Sequence, residues 1–259
     1  MSRILNFSKR NLKELLRDPI LYVFCLGFPI IMLILFQIIN KYTFGNTPMF
    51  ELKALLPAII MFSYTFVMLT MSLLVSKDRE TFFLKRLYSS PMKSYHFVVG
   101  YSSVGIVIGL FQTLICVLSA FIISLISKVD FISFAQVLLL VISQIPILLI
   151  SVFLGILIGT LLNDKSAPGV CSIFISLSGV LGGCWMPIES MGGFEVFCTY
   201  LPFYPSVYLG RIITKATNVF NNLYIFDKQS VVGLILVFVY MLCCIIASFI
   251  IFNKKMVSD

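Results

Sequence analysis

The chain has 259 residues, of which 59% are hydrophobic and only 12% are charged, and its mean hydropathy is +1.04. Soluble domains carry about 25% charged residues, so the composition excludes an ordinary soluble enzyme or binding domain. It predicts an all-α polytopic membrane protein, because several apolar runs exceed the roughly 20 residues that cross a bilayer as a helix. Basic loops on one side of the membrane then explain the net charge of +8 better than nucleic-acid binding does.

The N-terminal stretch MSRILNFSKRNLKELLRD lacks the apolar segment and the cleavage site of a signal peptide. Residues 1–18 are instead predicted to form an amphipathic helix that ends at Asp18-Pro19. Its apolar positions are Ile4, Leu5, Leu12, Leu15 and Leu16, and its basic positions are Lys9, Arg10, Lys13 and Arg17. We expect this helix to lie in the membrane interface with its basic side on anionic headgroups. The alternative is an ordinary basic flank of the first span.

Six apolar segments follow, and none contains Asp, Glu, Lys or Arg. The predicted spans are residues 20–39, 55–75, 97–127, 132–162, 167–187 and 230–252. The third and fourth are longer than a perpendicular crossing requires, which favours tilt. Pro146 predicts a kink in the fourth.

The distribution of Lys and Arg predicts the orientation of these spans. With six spans both termini share one side, and that side collects thirteen of the nineteen basic residues. The positive-inside rule therefore places both termini in the cytoplasm. A multi-pass protein of the plasma membrane, of bacterial type, is the expected localisation.

A charged region, residues 77–92, separates the second and third spans and is predicted to be cytoplasmic. The block from Asp78 to Tyr88 reads as a short helix with acids near its N-terminus and bases near its C-terminus, as the helix dipole favours. Pro91 ends it. A loop that only fixes topology would account for the bases, whereas the acids and aromatic residues favour a docking surface for a soluble partner.

The longest connection, residues 188–229, is rich in aromatic residues and has no charge bias. We expect short elements that dip into the outer leaflet or pack on the spans, because irregular backbone at that depth must be sheltered by protein. Cys184 and Cys198 lie at or near this connection, and a disulfide between them is left open by the sequence.

The sequence has no G-x-x-x-x-G-K-[ST] loop for nucleotide phosphates, no cluster with metal-ligand spacing and no G-x-S-x-G elbow. Ion-coupled carriers usually place an ionisable side chain inside the membrane, and the predicted spans contain no Asp, Glu, Lys or Arg. An ion-coupled carrier is therefore disfavoured, and the energy for any uphill transport is expected from outside the chain. Two G-x-x-x-G pairs, Gly105/Gly109 and Gly155/Gly159, predict closely packed helices.

Three motifs resemble those of ABC type-2 exporter permeases. The charged region reads R-E-T-F-F-L-K-R-L-Y-S-S-P, followed by Gly100, and is similar to the family's E-R-E-x-G-T-L-E-R-L-x-x-S/T-P and then G-K. The small residue before the threonine is missing, and Tyr101 replaces the lysine. The segment G-G-C-W-M-P-I-E-S-M, from Gly182, resembles G-x-x-F-P-x-E-x-L/M-P, with Gly192 in place of the final proline. The segment R-N-L-K-E-L-L-R-D-P, from Arg10, is also typical of the family.

The resemblance implies a single permease domain over residues 1–259, with six spans, an interfacial helix and a re-entrant outer region before the last span. Two permease subunits, identical or not, would pair, and a separate ATPase subunit would bind ATP and Mg²⁺, so no cofactor is expected in this chain. The ATPase-coupling residues implied are Asp78, Arg79, Glu80, Thr81, Leu84, Arg86, Leu87 and Pro91. Those of the outer gate are Trp185, Pro187, Glu189, Pro202 and Pro205, and those of the interfacial helix are Arg10, Lys13 and Arg17.

The expected function is ATP-driven export of a hydrophobic or amphipathic substrate, such as a drug, antibiotic, peptide or lipid. The chain itself is expected not to be an enzyme. A permease for polysaccharide or teichoic-acid-type polymers and a non-transporting sensor or scaffold component are the alternatives.

Overall fold

A computed structural model describes residues 2–19, 21–42, 47–81 and 93–258. Within these ranges the regular elements are helices, and there is no β-strand, only an isolated bridge between Thr217 and Leu223. The elements are α1 (Ser2–Leu15), a π-helical segment (Leu21–Gly27), α2 (Phe28–Tyr42), a 3₁₀ turn (Pro48–Phe50), α3 (Leu52–Glu80), α4 (Ser94–Ser127), α5 (Phe134–Leu161), α6 (Ala167–Leu181), a second 3₁₀ turn (Ile188–Ser190), α7 (Gly193–Thr199), α8 (Phe203–Ile213) and α9 (Lys228–Ser258).

Within the described ranges, five helical segments are long and apolar enough to cross a membrane: Leu21–Tyr42, Leu52–Glu80, Ser94–Ser127, Phe134–Leu161 and Ser230–Lys255. The all-helical membrane architecture predicted from composition agrees with this. The predicted fifth span is shorter, because α6 ends at Leu181 and Gly183 then turns the chain with a φ of +67°. Its 15 residues measure about 22 Å, less than the roughly 30 Å of hydrocarbon. The count of six spans therefore stays a prediction.

Helix α3 lies at the centre of the bundle and packs against α4, α5, α6 and α8. Its approach to α5 is closest at Gly155 and Gly159. A Cβ atom there would lie 2.5 Å from the carbonyl oxygens of Met68 and Ser72 on α3, so side chains larger than hydrogen do not fit. The predicted glycine pair thus lies where the two backbones touch.

Helix α1 packs against α4 and the end of α3. Its buried side chains are Phe7, Asn11 and Leu15, whereas Leu5, which was expected to share the apolar face, is 70% exposed. The Phe7 ring meets Tyr101 edge-on, with centroids 5.0 Å apart. It also lies where a Cβ at Gly100 would be, 2.4 Å from the ring, so the glycine of the loop motif makes room for α1.

The long connection after α6 folds onto the bundle rather than extending from it. Helix α8 packs against α3, α5 and α9, and Val207 joins the main hydrophobic core. Cys184 and Cys198 are both buried and free, and the Cys184 thiol donates to the Ala58 carbonyl oxygen at 3.2 Å. No disulfide links them in this structure.

Candidate functional site

The predicted coupling residues begin at the last turn of α3. Asp78, Arg79 and Glu80 complete the helix, and Thr81 follows as its C-cap, with its hydroxyl donating to the Lys77 carbonyl oxygen at 2.9 Å. The other predicted members of the set, Leu84, Arg86, Leu87 and Pro91, lie outside the described residues.

Asp78 joins three helices through one carboxylate. Arg10 of α1 donates to it twice, from Nη1 to Oδ2 at 2.7 Å and from Nη2 to Oδ1 at 2.9 Å. The hydroxyl of Tyr101 on α4 donates to Oδ2 at 2.7 Å. Asp78 is only 1% exposed, and a buried charge is stable only when it is paired and hydrogen-bonded. We call Asp78, Arg10 and Tyr101 the Asp78 cluster.

Arg10 connects this cluster to the surface. Burial alone would favour the neutral guanidine, but the hydrogen bond and charge of Asp78, with the charge of Glu14, raise the pKa of Arg10 above its usual value. Glu14 pairs with Arg10 at 2.6 Å and with Lys77 at 3.5 Å. Arg10 is therefore held at a contact between α1 and α3, whereas Lys13 and Arg17 are exposed, and the expected placement of all three on headgroups stays a prediction.

Arg79 and Glu80 attach the same turn of α3 to the end of α5. Arg79 Nη1 donates to the carbonyl oxygens of Gly159 at 3.2 Å, Leu162 at 3.5 Å and Thr160. Free carbonyls at a helix C-terminus favour such a cation. Glu80 Oε1 accepts from the backbone N–H of Asp164 at 2.9 Å, in the turn between α5 and α6.

A second polar group lies at the opposite end of α3, built around Arg211 of α8. Arg211 is fully buried, and its Nη1 lies 3.0 Å from Glu189 Oε1. It also donates to the carbonyl oxygens of Gly183 at 2.8 Å and Ala54 at 3.3 Å. The Tyr224 hydroxyl donates to Glu189 Oε1 at 2.5 Å. We call Arg211, Glu189 and Tyr224 the Arg211 cluster.

The other predicted gate residues surround this cluster without joining its ion pair. Trp185 packs edge-on against Phe62 of α3, with centroids 5.5 Å apart, and Pro187 and Pro202 precede the second 3₁₀ turn and α8. Pro205 contacts α9 at Gly233, where a Cβ would lie 2.7 Å from the proline Cβ. Trp185 and Pro205 thus pack the chain between α6 and α9 onto α3 and α9.

Sequence reasoning identified Asp78 and Glu189 but not the residues that pair with them. Arg10 was expected to lie against anionic headgroups, Tyr101 was noted only as a departure from the family lysine, and Tyr224 was not singled out. The one sequence signal for these partners was the presence of charged residues at the edges of uncharged spans, because a buried charge needs a counter-charge nearby. Across the described part of the chain, no group of three or more His, Cys, Asp or Glu side chains could hold a metal ion.

Comparison with known families agrees with this architecture. The model of the family described as ABC-2 type transporter matches residues 3–215, which is well over half of the chain. The chain belongs to the ABC-2 type transporter family. This permease is therefore a membrane component of an ABC transporter, and its family implies that it works with an ABC ATPase subunit. No match was found among the curated proteins.

Proposed function

We propose that this permease is the membrane subunit of an ATP-driven exporter, and that the last turn of α3 transmits the motion of the ATPase to the spans. The observation that carries the proposal is the set of attachments at that turn. Asp78 binds α1 and α4, Arg79 binds the end of α5, and Glu80 binds the turn before α6. Residues 82–92, the remainder of the coupling region predicted over 77–92 and here called the docking segment, follow directly in the chain.

The length of α3 would carry this motion across the membrane. Its 29 residues span about 43 Å, from the Arg211 cluster to the Asp78 cluster. An ATPase that closes on ATP binding would push the docking segment and, with it, the last turn of α3. That turn contacts α1, α4, the end of α5 and the turn between α5 and α6. The Arg211 cluster would then open or close the outer end of a pathway between two permease subunits.

The proposed substrate is hydrophobic or amphipathic, because the apolar spans offer no Asp, Glu, Lys or Arg side chain to a charged cargo. Drugs, antibiotics, peptides and lipids fit this description. Export of a polysaccharide or teichoic-acid-type polymer is the second candidate, and association with an ATPase without export would instead identify a sensor or scaffold component.

The proposal is tested with the permease and its co-purified ATPase in sealed vesicles supplied with ATP. Glu80→Ala removes the bond to the Asp164 backbone and Arg86→Ala alters the docking segment, so each should lower ATP-driven uptake at least tenfold while the amount of inserted protein stays constant. Lys254→Ala, at an exposed residue near the opposite end of the chain, is the control. Uptake that is unchanged by both substitutions would overturn the coupling role.

A further inference from the structure

A cleft of about 1140 Å³ opens between α1, the connection that follows it, and the last turns of α3. Its volume exceeds the roughly 300–1,000 Å³ of typical small-molecule sites. It lies beside the Asp78 cluster, since Arg10 and Lys77 form part of its wall.

The rim of the cleft is basic. Lys9, Lys13 and Arg17 line it from the exposed side of α1 and its following turn, and no ion pair involves them within the described ranges. Lys9 and Lys13 are one helical turn apart, and like charges at that spacing repel each other. Among the described residues the lining holds five basic and three acidic side chains, so an anion in the cleft would relieve an existing repulsion.

The inner wall of the cleft is apolar. Leu15 of α1 and Leu73 and Leu74 of α3 line it, together with Thr70 one turn deeper along α3. A basic rim above an apolar wall matches a molecule with an anionic head and a hydrocarbon tail. A free phosphate would use only the rim, whereas an acyl chain would also cover Leu73, the one of these leucines that is partly exposed.

We propose that this cleft binds the phosphate headgroup of an anionic phospholipid of the cytoplasmic leaflet, with the upper part of an acyl chain against the α3 leucines. The inference uses the cytoplasmic placement of α1 that the positive-inside rule predicts but not the proposed ATP-driven export, so lipid binding and transport can fail separately. Basic pockets on the cytoplasmic side of membrane proteins are suited to such headgroups. The bound lipid would hold α1 against α3 beside the Arg10–Asp78 pair.

The test measures binding of phosphatidylglycerol, and of phosphatidylcholine as the neutral lipid, to the purified full-length permease in detergent micelles. The double variant Lys9→Gln/Lys13→Gln should bind phosphatidylglycerol about 30-fold more weakly, from about 1 kcal/mol for each basic residue. The control Lys165→Gln/Lys254→Gln makes the same change in net charge at exposed residues outside the cleft, and should leave binding within about twofold.

A second variant distinguishes a lipid bound in the cleft from nonspecific electrostatic attraction of an anionic lipid to the basic surface. Leu73→Trp fills the apolar wall without altering charge and should weaken phosphatidylglycerol binding at least tenfold. Inorganic pyrophosphate at millimolar concentration should compete poorly. The proposal is overturned if both double variants weaken binding equally, if Leu73→Trp binds like the wild type, or if pyrophosphate displaces the lipid. Loss of ATPase co-purification in Lys9→Gln/Lys13→Gln with lipid binding unchanged would also overturn it and assign the cleft to the ATPase.

Discussion

The two ends of α3 carry polar clusters of similar chemistry but different enclosure. In each, an Arg pairs with a buried carboxylate, and a tyrosine hydroxyl donates a hydrogen bond to the same carboxylate. Around Arg211 both charged side chains are nearly inaccessible, at 1% and 7% exposure. Around Asp78 the carboxylate is buried, but the Arg10 side chain keeps 35% of its exposure.

This difference indicates different mechanical roles. An enclosed pair cannot separate without leaving a charge in an apolar surrounding, which is costly. The Asp78 pair costs less to separate, because the half-exposed Arg10 can turn to water while the buried Asp78 keeps the hydrogen bond from Tyr101. We infer that the Arg211 cluster is a fixed anchor, whereas the Asp78 cluster is a joint that can open during the transport cycle.

The strongest test of the anchor is Arg211→Met. It leaves Glu189 buried, with Oε2 already lacking a hydrogen-bond partner within the described residues, and should lower the free energy of unfolding by about 3–5 kcal/mol. Denaturant unfolding in detergent measures this. The double variant Arg211→Met/Glu189→Gln removes both charges and should recover most of the loss. A double variant as unstable as the single one would contradict the enclosed-pair interpretation.

At the joint, Asp78→Asn, which removes the buried member and leaves the half-exposed Arg10, should have a smaller effect. It removes the charge that holds Arg10 and Tyr101, but Arg10 can turn to water, so we expect a loss of about 1–3 kcal/mol. Asp130→Asn, at an exposed residue of the α4–α5 connection, is the matched control. A loss as large as that of Arg211→Met would show that the two clusters are equally rigid.

Removing one hydrogen bond from the joint, with Tyr101→Phe, should cost about 1 kcal/mol, because Asp78 keeps both bonds from Arg10. Tyr95→Phe on the same helix, where the side chain is largely exposed, should change the unfolding free energy very little. Equal effects of the two substitutions would mean that the Tyr101 hydroxyl contributes no net stability.

The smallest expected effect concerns pH near the anchor. Partial burial, together with the charges of Glu189 and Asp227, raises the pKa of Glu195 above its usual value. The folded protein therefore binds this proton more tightly than the unfolded chain, and ionised Glu195 destabilises the fold above the raised pKa. Glu195→Gln should melt at a higher temperature than the wild type at pH 7, and the difference should shrink as the pH falls towards about 4.3.

Asp130→Asn serves as the control for the pH series, since Asp130 is an exposed carboxylate in the α4–α5 connection. If the difference in melting temperature between Glu195→Gln and the wild type grew as the pH fell, folding would lower the pKa of Glu195 instead of raising it. That result would contradict the direction of the shift given above.

Composition and apolar runs were sufficient to predict the helical membrane architecture, because a spanning segment is recognisable from about 20 neighbouring residues alone. The N-terminal helix was also predictable from its polar and apolar alternation. Its packing was not, because the burial of Phe7 and the inward position of Arg10 depend on Gly100 and Asp78, which belong to other helices. A pattern within one helix contains no information about these partners.

In the connection between α6 and α9, contacts between residues distant in the sequence were even harder to predict. Glu189 and Arg211 are 22 residues apart in the chain, and Tyr224 lies 35 residues from Glu189. Their meeting depends on how α7 and α8 fold back onto the start of α3. The motif resemblance placed Glu189 near a gate, but only the fold shows that its charge is cancelled by Arg211. The short α6 was likewise hidden, since the apolar run continues through Gly182 while the helix does not.

The glycine contact between α3 and α5 has a consequence for the order of assembly during synthesis. The α5 carbonyl oxygens that accept hydrogen bonds from Arg79 lie 80 residues or more further along the chain. Gly155 and Gly159 are synthesised at about the same time as these carbonyls. At about 5–20 residues per second, the ribosome needs on the order of 4–16 s to supply them. During that interval the α3 backbone at Met68 and Ser72 lacks the cover of Gly155 and Gly159, and Arg79 lacks its acceptors at the end of α5. The central helix therefore completes its packing only after α5 has been made.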